Sequence, residues 1–361
     1  MSAPEAMPTL QQQAAAAINR HRSSLAAQIV AREFQRNPAL QQRYGSAGRE
    51  RCLEDAGYHL GYLAQAVAAD HRGLFDDYVG WAKVMLARRG VPADDLASLL
   101  LHMREALPLA LSPAHSRLAG SFIDGALEQL PRMADQVPSF ISADMPLAAL
   151  ASSYLQALLK GERQLASRLV LGAVEGGASV RDVYLQVFQS TQREVGRLWQ
   201  LNQIIVAQEH YCTAATQLVM SQLYPHVFAA KKTRGTVVTA CVAGDLHELG
   251  ARMVCDFFEM AGWHTRYLGA NVPTPSIVQT LAELPAQVLA VSATIGYHLP
   301  AVQALIDAVR QSPRCAGVRI LVGGYPFNLD PDLWRKLGAD GSAADAAQSV
   351  TLMNRLEGPL A

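Results

Sequence analysis

The sequence predicts an all-helical amino-terminal domain, then a four-helix bundle, then a doubly wound, five-stranded parallel α/β domain. Three observations carry this prediction. Residues 9–135 repeat apolar positions at three- and four-residue spacing and contain no strand-like run. Residues 146–229 divide into four helical segments joined by short connections, the mark of antiparallel neighbours. From Gly235 onward, β-branched apolar runs alternate with helical segments, as in a parallel sheet with crossover helices.

In the first domain the helical spacing shows in Leu60, Leu63, Ala64 and Val67, and again in Val79, Ala82, Val84 and Leu86. Breakers at Asn37-Pro38, Gly45 to Gly48, Asp70 to Gly73, Gly90 to Pro92 and Ser112-Pro113 leave roughly six helices. Ser112 is placed to cap a helix that has Pro113 at its first position. A domain of this kind is globin-like or a sensory bundle. Large polar and aromatic residues gather in its middle: Tyr58, His59, Tyr62, Tyr78, Trp81, Arg88, Arg89, His102 and Arg104. His59 and Tyr62 share one helix face, as do Tyr78 and Trp81. These residues are either core with polar edges or a pocket for a planar, acidic chromophore, its faces held by aromatics and its carboxylates by arginines.

The polar, proline-containing stretch 136–144 reads as a domain boundary. Helices are then expected at about 146–160, 162–175, 179–200 and 203–229, followed by a linker at 230–234. Strands are expected at Val237–Val242, Thr265–Leu268, Val288–Val291, Val318–Val322 and Gly341-Ser342. Helices at 247–261, 274–284, 299–312, 331–337 and 344–356 alternate with them. The domains so defined are 1–140, 141–230 and 235–355.

The formal net charge is zero, which argues against direct binding of nucleic acid or an acidic membrane surface. The basic run Lys231 to Arg234 reads as a solvated linker. No apolar stretch approaches the ~18 residues of a membrane span. Met1 to Pro8 lacks a secretory signal pattern. Cys52, Cys212, Cys241, Cys255 and Cys315 are odd in number and not spaced for a metal knuckle. They are expected to be reduced thiols in a cytoplasmic protein.

The chemistry centres on Gly244-Asp245-Leu246-His247-Glu248-Leu249-Gly250, a loop between the first strand and its helix. Open α/β sheets bind ligands at that carboxyl edge. The loop is neither a dinucleotide fingerprint nor a phosphate-binding P-loop. A phosphoacceptor reading also fails, because strand three ends in Ser292-Ala293-Thr294-Ile295. A lone histidine in a loop is ordinarily a solvated surface residue. Here Ser292 and Gly323-Gly324 end strands three and four on the same edge, so small residues form a slot beside the histidine.

With those residues the chain resembles the cobalamin-binding domain family. Its pattern is Asp-x-His-x-x-Gly after strand one, serine after strand three and Gly-Gly after strand four. Asp245, Leu246, His247 and Gly250, then Ser292, then Gly323 and Gly324 match it, and Leu268 to Pro273 looks like the family's second-strand loop. The resemblance implies a flavodoxin-like (Rossmann-type) sheet with His247 as the lower cobalt ligand of base-off cobalamin and Asp245 as its hydrogen-bonding partner. The displaced nucleotide tail would lie by Ser292, Thr294, Gly323 and Gly324, the glycines leaving it room. Many members have Ser-x-Leu where this chain has Ser292-Ala293-Thr294.

Upstream, Trp199 is followed nine residues later by Glu209-His210. Taken singly, this tryptophan reads as core. In a bundle preceding a cobalamin domain, the set is similar to the light-sensing adenosylcobalamin regulators. The resemblance implies that Trp199, Glu209 and His210 line the adenosyl pocket and that light breaks the cobalt–carbon bond and shifts the cap. In DNA-binding members a histidine follows the tryptophan and ligates cobalt after illumination; here that residue is Gln200. His210 or water is then the candidate upper ligand in the light state. The helical first domain, neither basic nor winged-helix-like, looks more like that of photocobilins, which pair cobalamin with biliverdin. By that resemblance His59, Tyr62, Tyr78, Trp81, Arg88 and His102 would line a non-covalent bilin site. The expectation is a non-enzymatic photoreceptor, a light-dependent homodimer or larger homo-oligomer, acting on an output partner or on a domain beyond Ala361. The alternatives are a corrinoid methyl carrier of a methyltransferase system, or a cobalamin-binding transcriptional anti-repressor. A mutase subunit would need a substrate barrel, and no eightfold strand–helix run is present.

Overall fold

Thr9 starts the first helix with a reciprocal cap. Its hydroxyl accepts from the Gln12 amide at 3.2 Å, and its own N–H donates to the Gln12 side chain at 2.9 Å. The structure, a computed structural model, describes residues 8–357. Residues 1–7, where the absence of a leader was read, lie outside the described residues. The chain falls into two units, Met1–Gln136 and Val137–Ala361.

In the first unit the helices are α1 (Leu10–Arg36), α2 (Ala39–Ala68), α3 (Arg72–Ala87), α4 (Ala93–Ala106) and α5 (Pro113–Gln129). The break expected near Gly45 is a kink inside α2, where Gly45 takes φ +64°. The Ser112 hydroxyl caps α5 by accepting from the His115 amide at 3.3 Å. The apolar stripes meet in a core built on Ile18, Leu60, Leu63, Phe75 and Ile123.

The second unit begins with α6 (Ala148–Leu159) and α7 (Arg163–Glu175). A π-helical stretch, Val183–Gln189, runs into α8 (Ser190–Gln200), and α9 (Val206–Gln222) completes a four-helix bundle. The sheet follows: β1 (Thr236–Cys241), β2 (His264–Tyr267), β3 (Ala286–Ser292), β4 (Arg319–Gly323) and β5 (Gly341–Ala343). The principal crossover helices are α10 (Leu249–Met260), α11 (Thr274–Glu283) and α12 (Leu299–Gln311), and α13 (Ala346–Glu357) follows β5. All pairings are parallel, in the order β2-β1-β3-β4-β5. This is the doubly wound arrangement expected. The segment 331–337 holds only the short helix Leu333–Lys336, and Tyr325–Leu329 forms another directly after Gly324.

The bundle and the sheet share one core. Tyr154, Tyr184 and Phe188 of the bundle and Phe257, Phe258 and Trp263 of the sheet side are buried in a single cluster. The Tyr184 hydroxyl donates to Asp256 of α10 at 2.9 Å, tying the π-helical stretch to the sheet domain. Arg252 reaches back to Ser221 and Tyr224 at 2.8 and 2.9 Å. Among the described residues, no helix is long and apolar enough to cross a membrane.

Candidate functional site

The strand order reverses between β1 and β3, which is where a doubly wound sheet opens a crevice. Register places Cys241, Ser292, Gly323 and Ala343 in one row across the carboxyl edge. The loop bearing His247 leaves that edge from β1. Helix α10 starts at Leu249, two residues later than the sequence suggested, so His247 and Glu248 belong to the loop. The loop is pinned by the turn after β2. Asn271, at φ +51°, accepts from the Gly244 amide at 2.8 Å and donates its own N–H to the Asp245 carbonyl at 2.9 Å.

Asp245 is fully buried. One carboxylate oxygen accepts from His247 Nδ1 at 2.8 Å and from the His247 amide at 3.0 Å. The other accepts from the Thr294 amide at 2.7 Å. Burial opposes ionisation, but donation by His247 and the Thr294 amide, with the His298 ring close by, outweighs it and holds the carboxyl far below the ordinary range. The ionised carboxylate can only accept, so His247 carries its proton on Nδ1 and turns the Nε2 lone pair outward. The hydrogen bond to Asp245 raises the basicity of His247, as a carboxylate behind a metal-ligating imidazole does. The His247 side chain is 59% exposed while its partner is sealed in.

The glycines behave differently from one another. Gly324 sits at φ +113°, and a Cβ there would lie 2.0 Å from the Ala293 carbonyl oxygen. Close approach to the neighbouring strand's backbone therefore requires it, a constraint separate from the ligand room first invoked. A Cβ on Gly323 would meet the Ala343 carbonyl at 3.2 Å. Gly250 is the opposite case, since a Cβ there would meet nothing within 4 Å. Thr294 enters the site through its backbone amide. Leu246 is 72% exposed beside His247.

On the bundle side, Glu209 and His210 hydrogen-bond to each other, and Glu209 also accepts from the Thr213 hydroxyl at 3.1 Å. The negative charge of Glu209 contributes, after the Asp245 interactions, to raising the His247 basicity. Gln217, two turns further along α9, donates to Glu248 at 2.6 Å, and Tyr267 donates to the same carboxylate at 2.9 Å. Trp199 is half-buried against the bundle core, and Gln200 is buried.

Sequence reasoning missed His298, at the start of α12. Its side chain is nearly buried, with Nδ1 3.5 Å from the second carboxylate oxygen of Asp245. A lone histidine six residues past Ser292 carries no signal until the chain folds. Asn271 was covered only as part of a loop.

In the first unit, Tyr62 stacks on Tyr78 at 3.7 Å between ring centroids, and Trp81 lies 6.2 Å from Tyr78. His59 Nδ1 pairs with the Tyr78 hydroxyl at 2.9 Å. The other two residues grouped with them are placed differently. Helical geometry aims His102 of α4 at Glu33 of α1, 3.2 Å away, and Arg88 is exposed at the end of α3.

Residues 235–351 match the family model described as B12 binding domain, and residues 150–224 match a second model of that description. The second unit has the B12-binding fold. Cobalamin is therefore the cofactor to set against the site, and the residues fit it. His247 offers one lone pair, the space at Gly250 is open, and small residues line the edge. Among the described residues no group of three or more His, Cys, Asp or Glu could cage a bare metal ion. The cobalamin module is similar to a corrinoid protein of Desulfitobacterium hafniense, 24% identical over 59% of this chain and 99% of that one. It is also similar to dimethylamine corrinoid protein 1 of Methanosarcina acetivorans, 26% identical over 52% of this chain and 89% of that one. Among solved structures, the Methanosarcina barkeri monomethylamine corrinoid protein shares the fold, with TM-score 0.53 and 20% identity over 58% of this chain and 100% of that one. These relatives are named as corrinoid proteins rather than enzymes. Residues 7–130 match the family model described as Phycobilisome protein.

Proposed function

We propose that the chain holds cobalamin base-off, with His247 as the lower cobalt ligand. The observation that carries this is the buried, ionised Asp245 fixing Nδ1 of a half-exposed histidine at the switch point of the sheet. Asp245 orients the ring, the Thr294 amide and Asn271 hold the loop, and the row Ser292–Gly323 borders the tail slot. Bound cobalamin supplies a cobalt–carbon bond that transfers a methyl group or, in its adenosyl form, breaks in visible light.

Two readings of the upper face follow. The relatives' names favour the first, a corrinoid carrier that presents a methyl group to a protein partner of a methyltransferase system. A specific observation favours the second, a light sensor with adenosylcobalamin and biliverdin. Residues 7–130 match the Phycobilisome protein model, whereas the two corrinoid relatives named above cover 59% and 52% of this chain. In that reading Trp199, Glu209 and His210 face the adenosyl group, and the stacked Tyr62, Tyr78 and Trp81 with His59 hold the bilin. Loss of the adenosyl group would then loosen the bundle and change a homodimer or larger assembly, or its hold on an output partner.

The test is absorption of the full chain loaded with adenosylcobalamin and biliverdin, in darkness and after green light, alongside methyl transfer from methylcobalamin-loaded protein to a thiol acceptor with a partner methyltransferase. Unchanged cobalamin bands after illumination would end the sensor reading, and a light-induced change in assembly without methyl transfer would end the carrier reading. His247→Ala is expected to lose the histidine-on spectrum in either case.

A further inference from the structure

Inside the bundle, a chain of polar side chains runs from Glu209 into the apolar core. Glu209, Thr213 and Thr216 recur along one face of α9. The Thr213 hydroxyl lies 3.1 Å from Glu209 Oε1 and 3.2 Å from Oε1 of Gln192 on α8. Gln192 Nε2 donates to the Thr216 hydroxyl at 2.8 Å and to the Cys212 carbonyl at 3.4 Å. Thr216 pairs with the hydroxyl of Tyr154 on α6 at 3.0 Å, and both residues are fully buried. One network thus joins three helices of the bundle, and Trp199 stands two turns beyond Gln192 on α8.

The network is one proton short. A carbonyl can only accept, so the Cys212 carbonyl fixes the Gln192 amide with its nitrogen inward and its oxygen toward Thr213. Thr213 then has a single proton for two acceptors, the Gln192 oxygen and the Glu209 carboxylate. The other Glu209 oxygen is taken by His210. While Thr213 serves Glu209, the Gln192 oxygen loses that donor, and an acceptor left short inside a bundle costs free energy.

We infer that Thr213 is a positioning residue for Glu209 and, through it, sets the preference for the group above cobalt. The inference rests on Glu209 lining the upper face of bound cobalamin. An adenosyl group carries hydroxyl and amino donors from which a carboxylate can accept; a methyl group carries none. When Glu209 accepts from such a donor, Thr213 turns its proton to Gln192 and both acceptors are served. Under a methyl group the shortage stays. The network therefore favours the adenosyl form, and the preference runs through the Thr213 hydroxyl.

The experiment measures dissociation constants of adenosylcobalamin and methylcobalamin on the full chain, by equilibrium titration in darkness. Wild type, Thr213→Val, Thr213→Ser, Glu209→Ala and the Thr213→Val, Glu209→Ala double variant are compared, with circular dichroism confirming the fold. The readout is the ratio of the two constants, because a merely structural Thr213 would weaken both cobalamins together. Thr213→Val is expected to cut the preference for adenosylcobalamin about five-fold, the scale one hydrogen bond sustains. Thr213→Ser is expected to restore it. In the absence of Glu209 the valine substitution is expected to move the ratio no further. The inference is overturned if Thr213→Val leaves a ratio that Glu209→Ala shifts, or if valine acts equally with Glu209 gone. A ratio unmoved by Glu209→Ala itself takes Glu209 off the upper face, and the inference falls with that reading. Should the valine variant fail to fold, Thr213→Ala, which adds no bulk, is read by the same criteria.

Discussion

Asp256 offers a quantitative test of the contact between bundle and sheet. It is 5% exposed and receives the Tyr184 hydroxyl at 2.9 Å. Burial pushes its carboxyl up to about 6 from 3.8, and nearby Glu259 adds to this, while the Tyr184 hydrogen bond and Arg252 oppose it. The folded chain thus holds this proton more tightly than the unfolded chain. Stability from the protonated form is complete below about pH 4, fades as pH rises through about 6, and is absent above. About two pH units at ~1.4 kcal/mol each gives ~3 kcal/mol. Asp256→Asn keeps an oxygen to accept from Tyr184 and removes the buried charge. The variant is expected to match wild type near pH 4 and to exceed it by roughly 2–3 kcal/mol at pH 8. The assay is urea unfolding of both proteins across this range, followed by circular dichroism and tyrosine fluorescence. The difference between them cancels the other titrating groups. A difference that stays constant with pH would refute the argument, because it would mean that Asp256 is ionised in the folded state with no burial cost.

Gly324→Ala is expected to destabilise the unit by on the order of 3 kcal/mol or more, seen as a lower melting temperature, because positive φ and a backbone clash coincide there. Gly250→Ala should leave the cofactor-free protein as stable or slightly more so, by up to ~1 kcal/mol, yet weaken cobalamin binding at least about ten-fold in equilibrium titration. In the first unit, burial drives the basicity of His59 down to about 4 from 6.5. Its contribution to stability is therefore present above about pH 6.5 and lost as pH falls toward about 4, and His59→Gln should flatten that part of the pH profile in acid unfolding.

The order of elements was written in the sequence because periodicity is local. A change from helical spacing to β-branched runs at Gly235, and breakers such as Gly45 and Ser112-Pro113, are decided within a few residues. The histidine loop was legible for the same reason, since Asp245, His247 and Gly250 lie within six positions. Only the folded sheet could decide what converges from a distance. The register that aligns Cys241, Ser292, Gly323 and Ala343 comes from successive pairings of strands that lie far apart in the chain. It brings Thr294 and His298 onto Asp245 and Gly324 onto Ala293, and packing against α1 takes His102 to Glu33. A single sequence specifies which residues carry donors and acceptors, but a buried carboxylate acquires its partners only when separate strands close around it.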